Sequence, residues 1–247
     1  MYYWKIWRET RVRFFALLIL GACLGVLAVW SQVPFTVAVV AKIAWEPGQK
    51  LPPVAATAAW NSGITVLMIT GGFVLFFLGA IVASSGLGEE MERGTAPFLL
   101  TRPRSRGYFV WSFWLVAAVE LLFFTAVVLL AGYATLFYMI RRAGPWSFLL
   151  LGPILMITGL LAVGFANLLT TGCRRSNNGF AGTLAFTGTY LAAIPLLRYF
   201  HVINLPSPLK IYSLDWNAAL AGAMLGWLAT AVAFIALSHL IVTRMEV

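Results

Sequence analysis

Six long apolar runs constrain this chain more than any other feature of its sequence. They cover residues 14–31, 62–84, 108–140, 147–171, 180–200 and 217–243. A helix of about 20 apolar residues is long enough to cross the hydrocarbon core of a bilayer. None of the runs alternates apolar and polar residues with the two-residue period of a transmembrane strand. The sequence therefore predicts an all-α integral membrane protein with six transmembrane helices.

The composition excludes two other classes of protein. Hydrophobic residues make up 61% of the 247 residues and charged residues only 10%. A soluble globular domain carries about 25% charged residues, and a disordered chain is poor in apolar ones. Two cysteines, Cys23 and Cys173, are too few for a disulfide scaffold, so we expect two unpaired thiols.

The basic residues predict an orientation in the membrane. The formal net charge is +9, and with six spans eleven of the 17 Lys and Arg residues lie on the side of the termini and six on the other. Cytoplasmic loops carry the excess of Lys and Arg, so we expect both termini in the cytoplasm. Because these bases sit in short loops between apolar runs, we expect membrane lipids as partners and no nucleic acid.

Residues 1–13 precede the first run and predict a short interfacial helix, followed by a transmembrane domain over residues 14–247. Trp4 and Trp7 suit the membrane interface, and Arg8 and Arg11 share a polar arc. The alternative is a simple positively charged anchor. A Pro-rich external loop is expected over residues 32–61, because its prolines prevent one continuous helix.

The third run, at 33 residues, is too long for one perpendicular span. As a helix it would measure about 50 Å, against a core of about 30 Å. It must tilt, protrude from the membrane or break near Gly132. Tyr108, Trp111 and Trp114 suit an interface, which favours protrusion at the N-terminal end.

The loop over residues 85–107 is expected in the cytoplasm between the second and third spans. It places an acidic cluster, a short apolar segment and a basic cluster in succession. Thr95 can cap a short helix, which Pro103 would stop. Phe98–Leu100 have no neighbouring apolar segment in the loop to pack against. An exposed apolar segment flanked by charged residues is typical of a docking site for a partner protein. The alternative is a solvated loop whose leucines touch the membrane surface.

The string GEEMERGTAPFLLTRPRSRGYFVWSF resembles the permease pattern of type-2 ATP-binding cassette (ABC) transporters, in which this loop forms a coupling helix. The matching steps are residues 92–95 and 103–106, and KIWRETRVRFF resembles the elbow helix of that family. Six spans without a fused nucleotide-binding domain match as well. Pro97 departs from the family pattern, since many members have acidic or helix-forming residues early in this helix.

The resemblance implies a permease subunit of an exporter in the bacterial cytoplasmic membrane, working with a cytosolic ATPase and a second permease copy or paralogue. ATP and Mg would bind in the ATPase and no cofactor in this chain. The alternative is a non-transporting membrane anchor or scaffold subunit. By the same resemblance, the residues that would contact the ATPase are Glu89, Glu90, Glu92, Arg93, Gly94, Thr95, Phe98, Leu99, Arg102 and Arg106. Arg174 and Arg175 would form a smaller second contact, unless they are only topogenic charges.

Catalytic and metal-binding patterns are missing from the sequence. It contains no GxxxxGK[ST], HExxH or GxSxG motif, and its two histidines, His201 and His239, are far apart. We therefore expect no ATP site of the usual kind, no catalytic residue and no metal site. The chain is not expected to be an enzyme.

Glu120 is the only acid well within a predicted span. A carboxylate in hydrocarbon is costly, so it should face a cavity, meet a polar neighbour or be protonated. It could contact substrate or a proton, link two helices, or be a protonated structural acid bonded to a backbone carbonyl or hydroxyl.

The second and fifth spans often line the path in exporters of this general type. If that holds here, the path is apolar and aromatic, which would suit a lipid-like, peptide or hydrophobic substrate. Ordinary helix packing is the alternative. The candidate lining residues are Phe73, Phe76, Phe77, Phe186 and Tyr190.

Overall fold

The computed structural model describes residues 2–41, 51–84, 90, 106–142, 144–173, 181–182 and 218–244. These residues form helices and no strand, as the fold class predicts. The α-helices are α1 (Tyr2–Ala41), α2 (Pro53–Ser84), α3 (Arg106–Ile140), α4 (Leu151–Cys173) and α5 (Ala218–Arg244), with a 3₁₀ helix at Trp146–Leu150 before α4.

Within the described residues, five helices are long and apolar enough to cross a membrane, which suggests a multi-pass membrane protein. Their apolar segments are Thr10–Phe35, Pro53–Gly79, Gly107–Ile140, Phe148–Cys173 and Met224–Arg244. They match five of the six predicted runs. The remaining run, over residues 180–200, lies outside the described residues apart from 181 and 182.

The N-terminal segment differs from the predicted separate interfacial helix. One helix of 40 residues, α1, runs through the expected boundary at residue 13 without a break. Residues 2–20 contain no Gly or Pro, so nothing in the sequence interrupts the backbone there. A distinct elbow helix is therefore not confirmed.

Residues 32–61, predicted as a Pro-rich external loop that is not one continuous helix, contain parts of two helices. Helix α1 continues to Ala41 with Pro34 inside it, and α2 begins at Pro53. Apolar helices tolerate proline because neighbouring groups satisfy the carbonyl that it frees. Pro53 occupies the first helical position, where its missing N–H costs no intrahelical hydrogen bond. Residues 42–50 lie outside the described part of the chain.

The third helix is unbroken over 35 residues, so the alternative of a break near Gly132 is wrong. Leu67 of α2 covers this glycine, since a Cβ there would lie 2.6 Å from Leu67 Cδ1. The lack of a side chain at Gly132 thus allows α2 and α3 to lie close together. The helix ends where Arg141 adopts a left-handed φ of 56° and its N–H donates to the carbonyl of Phe137.

The chain divides into two compact units. The first comprises residues 1–74 and 119–156, and in it α1 runs parallel to α3. Gly21 faces Phe124, and Gly25 faces Val128 and Ala131 one turn later on both helices. In this unit, small residues allow the two backbones to approach closely.

The second unit comprises residues 75–118 and 157–247. Here α2 meets α4 where a Cβ on Gly79 would lie 2.7 Å from the Cβ of Ala162. Phe165 of α4 packs against Phe234 of α5, with ring centroids 5.5 Å apart. A Cβ at Gly107, in the first turn of α3, would overlap the imidazole of His239 on α5.

Substituting Gly25 with Ala should destabilise the protein by about 1–3 kcal/mol. A Cβ there would lie 2.6 Å from the backbone oxygen of Val128, which cannot move unless the two helices separate. Gly226→Ala is the matched control, because no described atom lies within 4 Å of a Cβ there. We expect the control to be neutral or slightly stabilising, since Ala favours helix over Gly. Unfolding by sodium dodecyl sulfate (SDS), followed by circular dichroism, measures both, and equal losses would contradict the described contact.

Candidate functional site

An ion pair joins α1 to α3 inside the first unit. The Nη2 atom of Arg13 donates to the Oε2 atom of Glu120 at 2.9 Å. The Glu120 side chain is 1% exposed and that of Arg13 is 21% exposed. The two residues are 107 positions apart in sequence, so only the packing of the helices brings them together.

Buried apolar side chains lie close to the pair in sequence on both helices. Phe14, which follows Arg13, is buried and packs edge-on against Phe123 with ring centroids 5.7 Å apart. Ala117 and Leu121 on α3 are buried as well. Removing charge from water is costly, so the loss of either partner would leave an uncompensated charge in these surroundings.

The second carboxylate oxygen of Glu120 has a different environment. Oε1 is buried and has no hydrogen-bond partner among the described residues. Thr10, one turn before Arg13 on α1, also has a buried hydroxyl without such a partner. Among the described residues, the carboxylate is therefore anchored through one oxygen.

Of the roles considered for Glu120, the geometry corresponds to a link between two helices. A guanidinium contacts it, rather than the backbone carbonyl or hydroxyl expected for a protonated structural acid. Whether the link serves transport stays a prediction.

Arg13 was missed as a functional residue, since the sequence places it among the topogenic bases. A usable signal was present. A lone acid within a span requires a cation or polar partner, and Arg13 is the last base before the first apolar run. The sequence did not indicate which helix would face Glu120.

The loop contacts predicted from the resemblance fall mostly beyond the described residues. Glu90 is helical and half-buried, and Arg106 is the first residue of α3. The others, which lie outside the described part of the chain, are Glu89, Glu92, Arg93, Gly94, Thr95, Phe98, Leu99, Arg102, Arg174 and Arg175. The coupling helix therefore stays a prediction.

The predicted aromatic path is described only in part. Phe73, Phe76 and Phe77 belong to α2, and Phe77 is exposed, whereas Phe186 and Tyr190 lie outside the described residues. The first unit contains an open apolar groove of about 510 Å³ between α1 and α2. Its lining residues are Leu24, Leu27, Ala28, Ser31, Val66, Ile69 and Thr70, so it does not include the predicted phenylalanines.

Both cysteines are free, as predicted, and both are exposed. Cys23 lies on α1 and Cys173 is the last residue of α4.

The resemblance of residues 88–113 to a permease loop comes from the sequence alone. No protein-family model matches the chain, and no curated protein matches it either.

Proposed function

We propose that this chain is the transmembrane permease subunit of an ABC transporter. It couples ATP hydrolysis in a separate cytosolic ATPase to export of a substrate across the cytoplasmic membrane. The observation that carries the proposal is the loop sequence of residues 88–106, with its acidic cluster, apolar segment and basic cluster. Five long apolar helices support a chain whose work is done within the membrane.

The position of the loop supports this function. Residues 85–105 connect Ser84, the end of α2, to Arg106, the start of α3. A protein that pushes on this loop therefore acts on two long helices at once. Because α3 has 35 residues and would measure about 50 Å, it is longer than the hydrocarbon core. Its first turns can extend toward the cytosol, where an ATPase would dock.

Aromatic side chains support the same placement of α3. Trp111 and Trp114 pack edge-on, with ring centroids 5.7 Å apart, within the first three turns of the helix. Tryptophan is enriched at membrane–water interfaces. An interface at this level leaves Arg106 and the loop before it on the aqueous side, together with the termini.

The assembly that follows contains two permease subunits, identical or paralogous, and two ATPase subunits. ATP and Mg²⁺ would bind in the ATPase subunits, and the loop of each permease would receive the movement of those subunits. The apolar, aromatic character of α2 suits a lipid-like, peptide or other hydrophobic substrate, so the substrate class is part of the proposal.

Co-purification tests the function most simply. We expect the tagged chain, extracted from bacterial membranes in a mild detergent, to bring down a soluble subunit with a phosphate-loop motif. The complex should hydrolyse ATP. A preparation that contains other partners and no ATPase would favour the membrane anchor or scaffold instead.

A further inference from the structure

We propose that Arg141 and Arg142, which directly follow α3, bind the phosphate of an anionic phospholipid headgroup. The ligand class is a membrane lipid whose headgroup carries a net negative charge. All the contacts that support this site lie within the first unit. The proposal does not depend on the proposed transport function.

Both arginines are exposed and have no counter-ion within the described part of the chain. Neither forms an ion pair or a side-chain hydrogen bond with another described residue. No Asp or Glu occurs in the sequence between Glu120 and Asp215, so no acid is near the pair in sequence. The Cζ atom of Arg141 lies 5.5 Å from the ring centroid of Tyr138. Such a contact with a ring uses none of the N–H donors of the guanidinium, which stay available to an anion.

Aromatic residues place this end of α3 at the level of the membrane–water interface. The ring centroid of Tyr133 lies 5.4 Å from that of Trp60 on α2 and 5.3 Å from that of Phe148 on the 3₁₀ helix. Tyr138 is 56% exposed, and α3 ends two residues later at Ile140. Tyr and Trp are enriched where a membrane meets water, and arginines near helix ends extend to the same level. The two guanidinium groups therefore lie at the depth of the lipid phosphates.

The backbone around the arginines is held by packing. The N–H of Arg141 donates to the carbonyl of Phe137 at 2.9 Å. A Cβ on Gly144 would lie 2.7 Å from Cη2 of Trp60 and 3.0 Å from Cε2 of Tyr133, so the backbone there rests directly on both rings. The chain is thus fixed at Arg141 and again at Gly144. Donors on a fixed backbone bind a ligand with a smaller loss of conformational entropy.

An anionic lipid also accounts for charges that the topology does not require. With six spans, Arg141 and Arg142 belong to the side that carries fewer bases, away from the termini. Bases on that side do not add to the cytoplasmic excess that orients a chain. The C-terminus of a helix favours a cation, but its charge of about −0.5 is smaller than that of two guanidinium groups. A headgroup phosphate supplies the counter-charge.

Photo-crosslinking to lipids of different charge tests the site. The chain is placed in nanodiscs with equal amounts of phosphatidylglycerol, which is anionic, and phosphatidylcholine, which has no net charge, both with identical acyl chains. Benzoyl-phenylalanine replaces Tyr138, which Arg141 contacts, or, as a control, Phe35, which is 68% exposed at the end of the apolar segment Thr10–Phe35. Mass spectrometry then gives the ratio of the two lipids among the adducts at each position.

At position 138 we expect at least a fivefold excess of phosphatidylglycerol adducts, because each base near an anionic surface contributes about fivefold in affinity. At position 35 the ratio should match the lipid mixture. Arg141→Gln/Arg142→Gln should reduce the ratio at position 138 to that at position 35. Arg141→Lys/Arg142→Lys should give an intermediate excess, since Lys keeps the charge and lacks the planar set of donors. Position 149, where Leu149 is 62% exposed, replaces position 138 if the chain substituted there does not fold.

The proposal would be overturned by a ratio at position 138 no higher than that at position 35, or by an excess that persists in Arg141→Gln/Arg142→Gln. Glycerol phosphate added in excess should leave the ratio unchanged. If it removed the phosphatidylglycerol excess, the arginines would bind a soluble phosphate, and the assignment to a lipid would be wrong. No ATPase takes part in these measurements, so their failure would leave the proposed transport function standing.

Discussion

Replacing Arg13 with Met should destabilise the protein by about 3–5 kcal/mol, whereas replacing Glu120 with Met should cost less. The first change leaves a carboxylate that is 1% exposed without its counter-ion, and the second leaves a guanidinium that is 21% exposed. A long Arg side chain near a helix end can also extend toward the interface and recover water. The asymmetry follows from burial alone.

The double variant Arg13→Met/Glu120→Met should be more stable than Arg13→Met. Apolar replacement of both members of a buried pair is often neutral, because no uncompensated charge remains. The double-mutant cycle should therefore give a coupling energy of at least 1 kcal/mol between the two positions. Unfolding by SDS in micelles, followed by circular dichroism, provides the free energies of unfolding of the unchanged chain and of the three variants.

Arg11→Met is the matched control, because Arg11 is an exposed base two residues from Arg13 on the same helix. Its effect should lie within about 0.5 kcal/mol of zero. The contact between Arg13 and Glu120 would be contradicted if Arg13→Met and Glu120→Met lowered the free energy of unfolding equally and their effects added in the double variant. It would also be contradicted if Arg11→Met lowered the free energy of unfolding as much as Arg13→Met does.

Replacing Leu99 with Glu should weaken association with the ATPase at least tenfold. If Leu99 docks in an apolar site on the partner, burial of its side chain contributes about 1.5–3 kcal/mol, and a tenfold change in affinity corresponds to about 1.4 kcal/mol. The new carboxylate would also have to leave water at the contact. The dissociation constant for the purified ATPase, measured by titration against the chain in nanodiscs, tests this.

Val54→Glu is the control for the added charge. Val54 is 79% exposed in the first turn of α2, where a carboxylate is favoured by the helix dipole. By the predicted topology it faces away from the cytosol. An unchanged affinity for Leu99→Glu, or an equal loss for Val54→Glu, would show that the loop does not bind the ATPase through this leucine.

Much of the fold could be predicted because the thickness of a bilayer fixes the length of a spanning helix. The third run, at residues 108–140, matches α3 at Arg106–Ile140 closely. The C-terminal end of α1 and the start of α2 were less predictable. Pro34 was counted among the prolines that interrupt a helix, yet α1 continues through it to Ala41. Apolar helices tolerate a proline where neighbouring groups satisfy the carbonyl that it frees.

The candidate site was only half predictable. Glu120 can be recognised from the sequence alone, because it is a single acid in an apolar run. Arg13 cannot be recognised in this way, because its pairing depends on which faces of α1 and α3 meet. The close contacts at Gly21 and Gly25 determine which faces these are, and they are visible only in the folded structure. The loop residues were found from local sequence alone, and they stay predictions because most of them lie outside the described residues.

Site-specific photo-crosslinking from position 99 in living cells tests the central claim most directly. A benzoyl-phenylalanine incorporated in place of Leu99 should form an adduct with an ATP-binding subunit, and one incorporated in place of Val54 should not. Adducts from position 99 that contain only lipid, in cells that express the full set of partners, would contradict the docking of a cytosolic ATPase on this loop.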